Sequence, residues 1–180
     1  MMTSVSIVKE KETGTMEVLL VSPMPPLGIV VAKMVPYFVL SCVNIATILL
    51  LSKFVFDVPM RGSLALLLGV SVIYVVLALS LGLFVSNLVN TQMAAVLISG
   101  MGLIAPIIIL SGLMFPIESM PEILQWVSTI VPARWYISAV RKVMIEGVGF
   151  RYIITETAVL AGMAAVLLFA SVKRFNIRLS

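Results

Sequence analysis

Histidine is absent from this 180-residue sequence, and cysteine occurs once, as Cys42. Without an imidazole, the chain can hold no serine–histidine pair, no histidine-ligated zinc and no histidine general base. One cysteine can form neither an intramolecular disulfide nor a thiolate metal cluster. The only aspartate, Asp57, lies in a predicted loop, which excludes a pair of intramembrane aspartates. We therefore expect no catalysis by this chain and no cofactor bound to it.

Charge is also scarce. Charged residues make up 11% of the sequence and apolar residues 61%, with a mean hydropathy of +1.19, far from the balance of a soluble domain. A helix needs roughly 20 apolar residues to cross the hydrocarbon core. Four stretches reach or approach that length: residues 34–52, 62–86, 93–115 and 152–172. The sequence predicts an all-α polytopic transmembrane helix bundle of about four spans, with a transmembrane domain over residues 34–180.

Basic residues do not orient this bundle. The twelve lysines and arginines divide evenly between the side that holds the termini and the opposite side, so the positive-inside rule leaves the topology open. Four of those on the opposite side lie in one connection, residues 116–151, which we expect at the membrane interface. These four residues therefore count for less in the comparison of the two sides, and we expect the termini to be cytoplasmic.

A few polar residues and one proline interrupt the spans. Glu156 falls within a turn of the start of the last span, where we expect its carboxylate to reach the headgroups. Asn44 and Thr47 need partners inside the bundle, so their face of the first span is expected to point inward. Pro106 is expected to kink the third span.

Residues 1–33 are predicted to be a cytoplasmic segment that carries a short helix beside the membrane. Gly14 breaks any preceding helix, Thr15 is a plausible N-cap, and Glu17 then meets the positive end of a helix over residues 16–21. A group of prolines ends that helix: Pro23, Pro25 and Pro26. The alternative interpretation is a solvated loop of mixed charge.

The connection 116–151 is too polar to cross the membrane and too apolar to stay in water. Ser119 and Glu122 match a capping box for a first interfacial helix, which a proline would end. A second helix is expected over residues 133–146, with Gly147 as its C-cap. The pair is interpreted either as a plug at one end of the bundle or as a gate whose basic face meets lipid phosphate or an anionic substrate. The candidate gate residues are Pro116, Pro121, Trp126, Pro132, Arg134 and Arg141.

Two parts of the chain carry a resemblance to a known family. The first includes Glu10, Glu12, Thr13, Gly14, Thr15, Glu17, Leu19, Leu20 and Pro23. The second is residues 114–147. Both resemble the type-2 permeases of ATP-binding-cassette transporters, and the similarity extends over residues 9–178. The Glu-Lys-Glu-Thr-Gly-Thr-Met-Glu run at residues 10–17 is its most specific part.

This resemblance implies a bundle of six spans, of which the chain would be the C-terminal portion. The first two spans and an extracytoplasmic domain would be missing, and we expect a truncation. The implied coupling residues, which would contact a separate ATPase subunit, are Glu10, Glu12, Gly14, Thr15, Glu17, Leu19, Leu20 and Pro23.

The resemblance also implies the partners. ATP and Mg²⁺ would bind to the ATPase subunit, and the chain itself has no glycine-rich phosphate loop. A second permease subunit, membrane lipid and a periplasmic adaptor protein complete the expected partners, with no nucleic acid. The expected function is export of a lipid-like or drug-like amphiphile across a bacterial inner membrane. The alternative is a non-transporting membrane scaffold or an inactive truncated permease.

Overall fold

The structure is a computed structural model that describes residues 2–12 and 26–177. These residues form an all-α bundle, which confirms the predicted fold class. In chain order the helices are α1 (Met2–Glu12), α2 (Pro26–Phe54), α3 (Leu64–Leu88), α4 (Gln92–Leu110), α5 (Glu122–Ser128), α6 (Pro132–Arg141) and α7 (Ile154–Ile177). A π-helical turn, Lys142–Glu146, extends α6, and short 3₁₀ turns lie at Ile117–Ser119 and Phe150–Tyr152.

Four segments are long and apolar enough to cross a membrane, as predicted: Val31–Phe54, Leu64–Leu88, Gln92–Leu110 and Ile154–Ser171. The first of these helices begins at Pro26, several residues before the predicted start of the span. Proline is tolerated in the first helical turn because its missing N–H has no partner there in any case. The third span ends at Leu110, earlier than predicted, because Gly112 then adopts a left-handed conformation with φ of 80°.

The core lies where α3, α6 and α7 meet. Leu77 of α3 and Leu160 of α7 are fully buried in it, and so is Ala139 of α6. At one end of the core, Asn87 Nδ2 donates to the carbonyl of Ser171 over 3.2 Å. We name this the Gln92 end, because α4 begins there, and the opposite end the Lys142 end.

Helix α2 contributes little to this core. In its most apolar stretch no residue is buried, and both Asn44 and Thr47 are exposed. The prediction that these two side chains point inward is therefore wrong for this chain. Thr47 meets its own need for a partner, since its hydroxyl donates to the carbonyl of Val43 at 2.9 Å, one turn back.

The predicted irregularity of the third span takes the form of a π-helix. Helix α4 is α-helical over Gln92–Leu97, π-helical over Ile98–Ile104 and α-helical again over Ala105–Leu110. Pro106 is the second residue after the π-helix. Because proline has no N–H and its ring clashes with the carbonyl four residues back, the wider turn relieves the conflict.

Helix α1 was not predicted, because the first eight residues carry no clear helix signal. It packs against α3 and α4, and Ser4 and Val8 are fully buried. Gly82 of α3 marks the close approach, since a Cβ at this position would lie 3.2 Å from Cβ of Thr3. Residues 3–8 are thus part of the bundle.

Candidate functional site

The structure describes only part of the predicted coupling segment. Glu10 lies in α1, and Glu12 is the last residue of that helix. The other predicted coupling residues lie outside the described residues: Gly14, Thr15, Glu17, Leu19, Leu20 and Pro23. The predicted helix over residues 16–21 lies there as well and stays a prediction.

The carboxylate of Glu12 is in contact with the start of α4. Its Oε2 accepts from the backbone N–H of Gln92 at 3.2 Å and from Nε2 of the same residue at 2.8 Å. A carboxylate at a helix N-terminus is favoured, because the first backbone N–H groups lack helical partners. Thr91 caps the same turn by accepting from the backbone N–H of Ala94. Glu12 therefore ties the predicted coupling segment to the third span.

The helix pair at the Lys142 end differs from the prediction in two details. Ser119 lies in a 3₁₀ turn, and its hydroxyl donates to the carbonyl of Pro116 at 2.6 Å. Pro121 occupies the N-cap position of α5, so the predicted capping box is wrong. Pro132 begins α6 instead of ending α5, which stops at Ser128, and this position suits its fixed φ. The predicted C-cap is confirmed, because Gly147 has a φ of 69°.

Arg134, the first of the predicted gate arginines, forms hydrogen bonds within the helix pair. Its Nη1 donates to the carbonyl of Gln125 at 2.9 Å and to the hydroxyl of Ser128 at 2.5 Å, so it joins α6 to α5. Arg141 is exposed, and Trp126 of α5 is 77% exposed. Arg134 is therefore less available to an anion than the sequence suggests, whereas Arg141 remains accessible.

Glu156 does not reach outward as the sequence predicts. It is 5% exposed, and its Oε1 accepts from Lys142 Nζ at 2.6 Å and from the hydroxyl of Ser138 at 3.3 Å. Burial of this carboxylate is compensated by Lys142, which reaches it from the π-helical turn that extends α6. Its second oxygen, Oε2, has no hydrogen-bond partner among the residues that the structure describes. The spacing of these residues in the sequence does not predict the ion pair, because they belong to separate helical segments.

Two further contacts fix α6 against the bundle. Tyr136 stacks on Tyr74 of α3 with ring centroids 4.2 Å apart, and its hydroxyl lies 3.0 Å from that of Ser71. This partner of Tyr136 could not be predicted from the sequence, because α3 and α6 are far apart in the chain. These contacts, together with Lys142 and Glu156, hold α6 to both α3 and α7.

A cavity of about 580 Å³ opens beside α6. One wall is the segment after α4, including Leu113, Met114 and Glu118, and the other wall is α6 with Trp135 and Arg141. Apolar side chains and both signs of charge thus line the same space. Such a lining fits an amphiphile better than a simple anion.

The family of the chain follows from its similarity to known proteins. A family model described as "ABC-2 family transporter protein" matches residues 1–173. The chain belongs to this family. This confirms the resemblance to permease subunits of ATP-binding-cassette transporters.

Individual relatives agree with this assignment. The probable multidrug ABC transporter permease YbhS of Escherichia coli is 33% identical over 81% of the chain and 39% of its own length. The inner membrane transport permease YhhJ of Escherichia coli is 28% identical over 97% of the chain and 47% of its own length. ABC transporter G family member 20 of Dictyostelium discoideum is 33% identical over 83% of the chain and 20% of its own length.

The chain therefore spans less than half the length of these curated relatives. No solved structure shows a significant match to the chain.

Proposed function

We propose that the chain belongs to the membrane-spanning subunit of an ATP-driven exporter that moves lipid-like or drug-like amphiphiles. The family match over residues 1–173 carries this proposal. The cavity at the Lys142 end supports the substrate class, because it combines apolar side chains with groups of both charges. A relative named as a probable multidrug permease supports the same class.

Energy for transport comes, in this proposal, from a separate ATPase subunit that binds ATP and Mg²⁺. Glu10, Glu17 and the apolar residues 18–21 contact this ATPase from the cytoplasmic side, where the termini lie. Glu12 lies next to this contact but does not form it, since its carboxylate already accepts hydrogen bonds from Gln92. A periplasmic adaptor protein stays a prediction of the sequence.

A second permease subunit, identical or different, completes the proposed transporter. The unburied apolar face of α2 supports this, because the stretch Val31–Phe54 has no buried residue in the single chain. Membrane lipid covers whatever part of that face the second subunit leaves open.

Co-purification tests the ATPase contact. Tagged wild-type chain, solubilised from membranes together with its candidate ATPase, is compared with Glu17→Lys and with the matched control Glu118→Lys at the Lys142 end. We expect Glu17→Lys to lose the ATPase and Glu118→Lys to retain it. Glu12 is left unchanged, because a lysine there would also break the contact with Gln92. Absence of the ATPase from the wild-type preparation, or its equal recovery with Glu17→Lys, would contradict the proposal.

Transport is tested with the same preparation in liposomes that contain a fluorescent amphiphile. We expect movement of the dye that requires ATP and stops with vanadate. Movement of the dye at the same rate without ATP would rule out an ATP-driven exporter.

A further inference from the structure

Two hydrogen-bonded links join α1 to the first part of α4, one near each end of α1. At one end, Glu12 Oε2 accepts from the backbone and side chain of Gln92. At the other end, the hydroxyls of Ser4 and Ser99 lie 2.9 Å apart, and both side chains are buried. A buried hydroxyl without a hydrogen-bond partner costs free energy, so separation of the two helices is disfavoured.

Between these links the two helices pack through buried apolar side chains. Val8 of α1 and Ala95 of α4 are both fully buried, and Val89, just before α4, is 6% exposed. The small side chain of Ala95 permits close approach of the helices. Contact at both ends and in the middle makes α1 and the first part of α4 one packed unit.

The unit ends where α4 changes its helical form. Ser99 lies in the π-helix Ile98–Ile104, and Pro106 follows. Within the π-helix, a Cβ added to Gly100 would meet nothing within 4 Å. Beyond it, Ala105–Leu110 lies against α5 and α6 instead of α1. Helix irregularities of this kind are where bending concentrates.

We infer that α1 and the part of α4 from Gln92 to Ser99 move as one rigid body against α3, which α1 also contacts at Gly82. The hinge of this body is the rest of the π-helix, residues 100–104. Glu12, Gln92, Ser4 and Ser99 are the positioning residues of this body. They carry motion from Glu12, which lies next to the proposed ATPase contact, to the first part of α4. The rigid contact stands on the hydrogen bonds and packing alone, whereas its drive by an ATPase rests on the proposed function.

Disulfide trapping tests the rigid body. Ser4→Cys and Ser99→Cys are combined with Cys42→Ala in the whole chain, in membranes, with its candidate ATPase. We expect a mild oxidant to cross-link the pair almost completely, both without nucleotide and with ATP and vanadate. The cross-linked protein is expected to transport the fluorescent amphiphile at a rate similar to that of the same protein after reduction. A slow or nucleotide-dependent cross-link, or transport that returns only after reduction, would overturn the inference.

Substitution of Gln92 tests the transmission of motion. Gln92→Ala removes the Nε2 donor to Glu12, and we expect about threefold less transport per ATP hydrolysed, in line with the loss of one hydrogen bond. Gln92→Lys keeps a donor to Glu12 and is expected to restore the ratio. A merely structural contact would change the yield or melting temperature without changing this ratio. An unchanged ratio in Gln92→Ala would contradict the positioning role.

The two proposals fail in different ways. If the wild-type chain does not retain an ATPase, the proposed function fails, while the extent of cross-linking in membranes still decides the rigid body. If the ATPase is retained and the cysteine pair cross-links poorly, only the rigid body fails.

Discussion

The ion pair between Lys142 and Glu156 offers the sharpest test of the packing at the Lys142 end. Lys142→Met keeps a long flexible side chain but removes the ammonium group that lies 2.6 Å from Glu156 Oε1. The carboxylate then keeps only the longer contact with Ser138, at 3.3 Å, for its two buried oxygens. A buried charge without its partner is strongly destabilising.

The size of this effect follows from burial. Breaking a fully buried pair costs about 3–5 kcal/mol, but the side chain of Lys142 is 36% exposed, so we expect the low end of that range, about 3 kcal/mol. A change of 1 kcal/mol shifts the melting temperature of a chain of this size by about 2–4 °C. Lys142→Met should therefore melt about 6–12 °C below the wild type.

The double variant Lys142→Met with Glu156→Met shows whether the loss of stability comes from the unpaired charge or from changing these two positions. Apolar replacement of both partners is close to neutral, so we expect it to melt within about 3 °C of the wild type. Arg141→Met, at the exposed neighbouring position, is the matched control and should melt within about 2 °C. Thermal unfolding in detergent, followed by tryptophan fluorescence, measures all of them. A single variant as stable as the wild type, or a double variant no better than the single one, would refute the reasoning.

Two more substitutions examine contacts that hold the helix pair to the bundle, both by the same melting assay. Gly62→Ala should lower the melting temperature by several degrees, because the added Cβ collides with the backbone carbonyl of Val143. The control Gly69→Ala should not lower it, because a Cβ there meets no neighbour within 4 Å. Equal effects of the two substitutions would contradict the close approach at Gly62. Tyr136→Phe keeps the stacking on Tyr74 and loses only the hydroxyl contact with Ser71, so it should cost about 1 kcal/mol. A loss as large as that of Tyr136→Ala would show that the stacking contributes little.

Much of the fold could be predicted from the sequence because lipid imposes simple rules. Long apolar runs predict spans, and Gly147 predicts a helix end, since each signal is local. Contacts between distant helices could not be read in this way. Glu156 looked like a residue at a span boundary, and its burial depends on Lys142 from another helix.

The start of the chain shows the same limit. Residues 3–8 are too few to span a membrane, and the sequence holds no signal for the surface that buries them. That surface is made by α3 and α4, through Gly82 and Ser99. Conversely, Asn44 and Thr47 were assigned inward because buried polar groups need partners, but local bonding satisfies Thr47 on an exposed face.

The position of the cavity connects the ion pair with the proposed hinge. One wall, around Leu113 and Met114, follows the part of α4 beyond the π-helix, and that part lies against α5 and α6. The other wall is α6, which Lys142 and Glu156 hold to α7. Both walls therefore lie on the same side of the proposed hinge. Bending at the hinge moves the first part of α4 relative to the cavity, while the ion pair keeps the cavity end of the bundle in place.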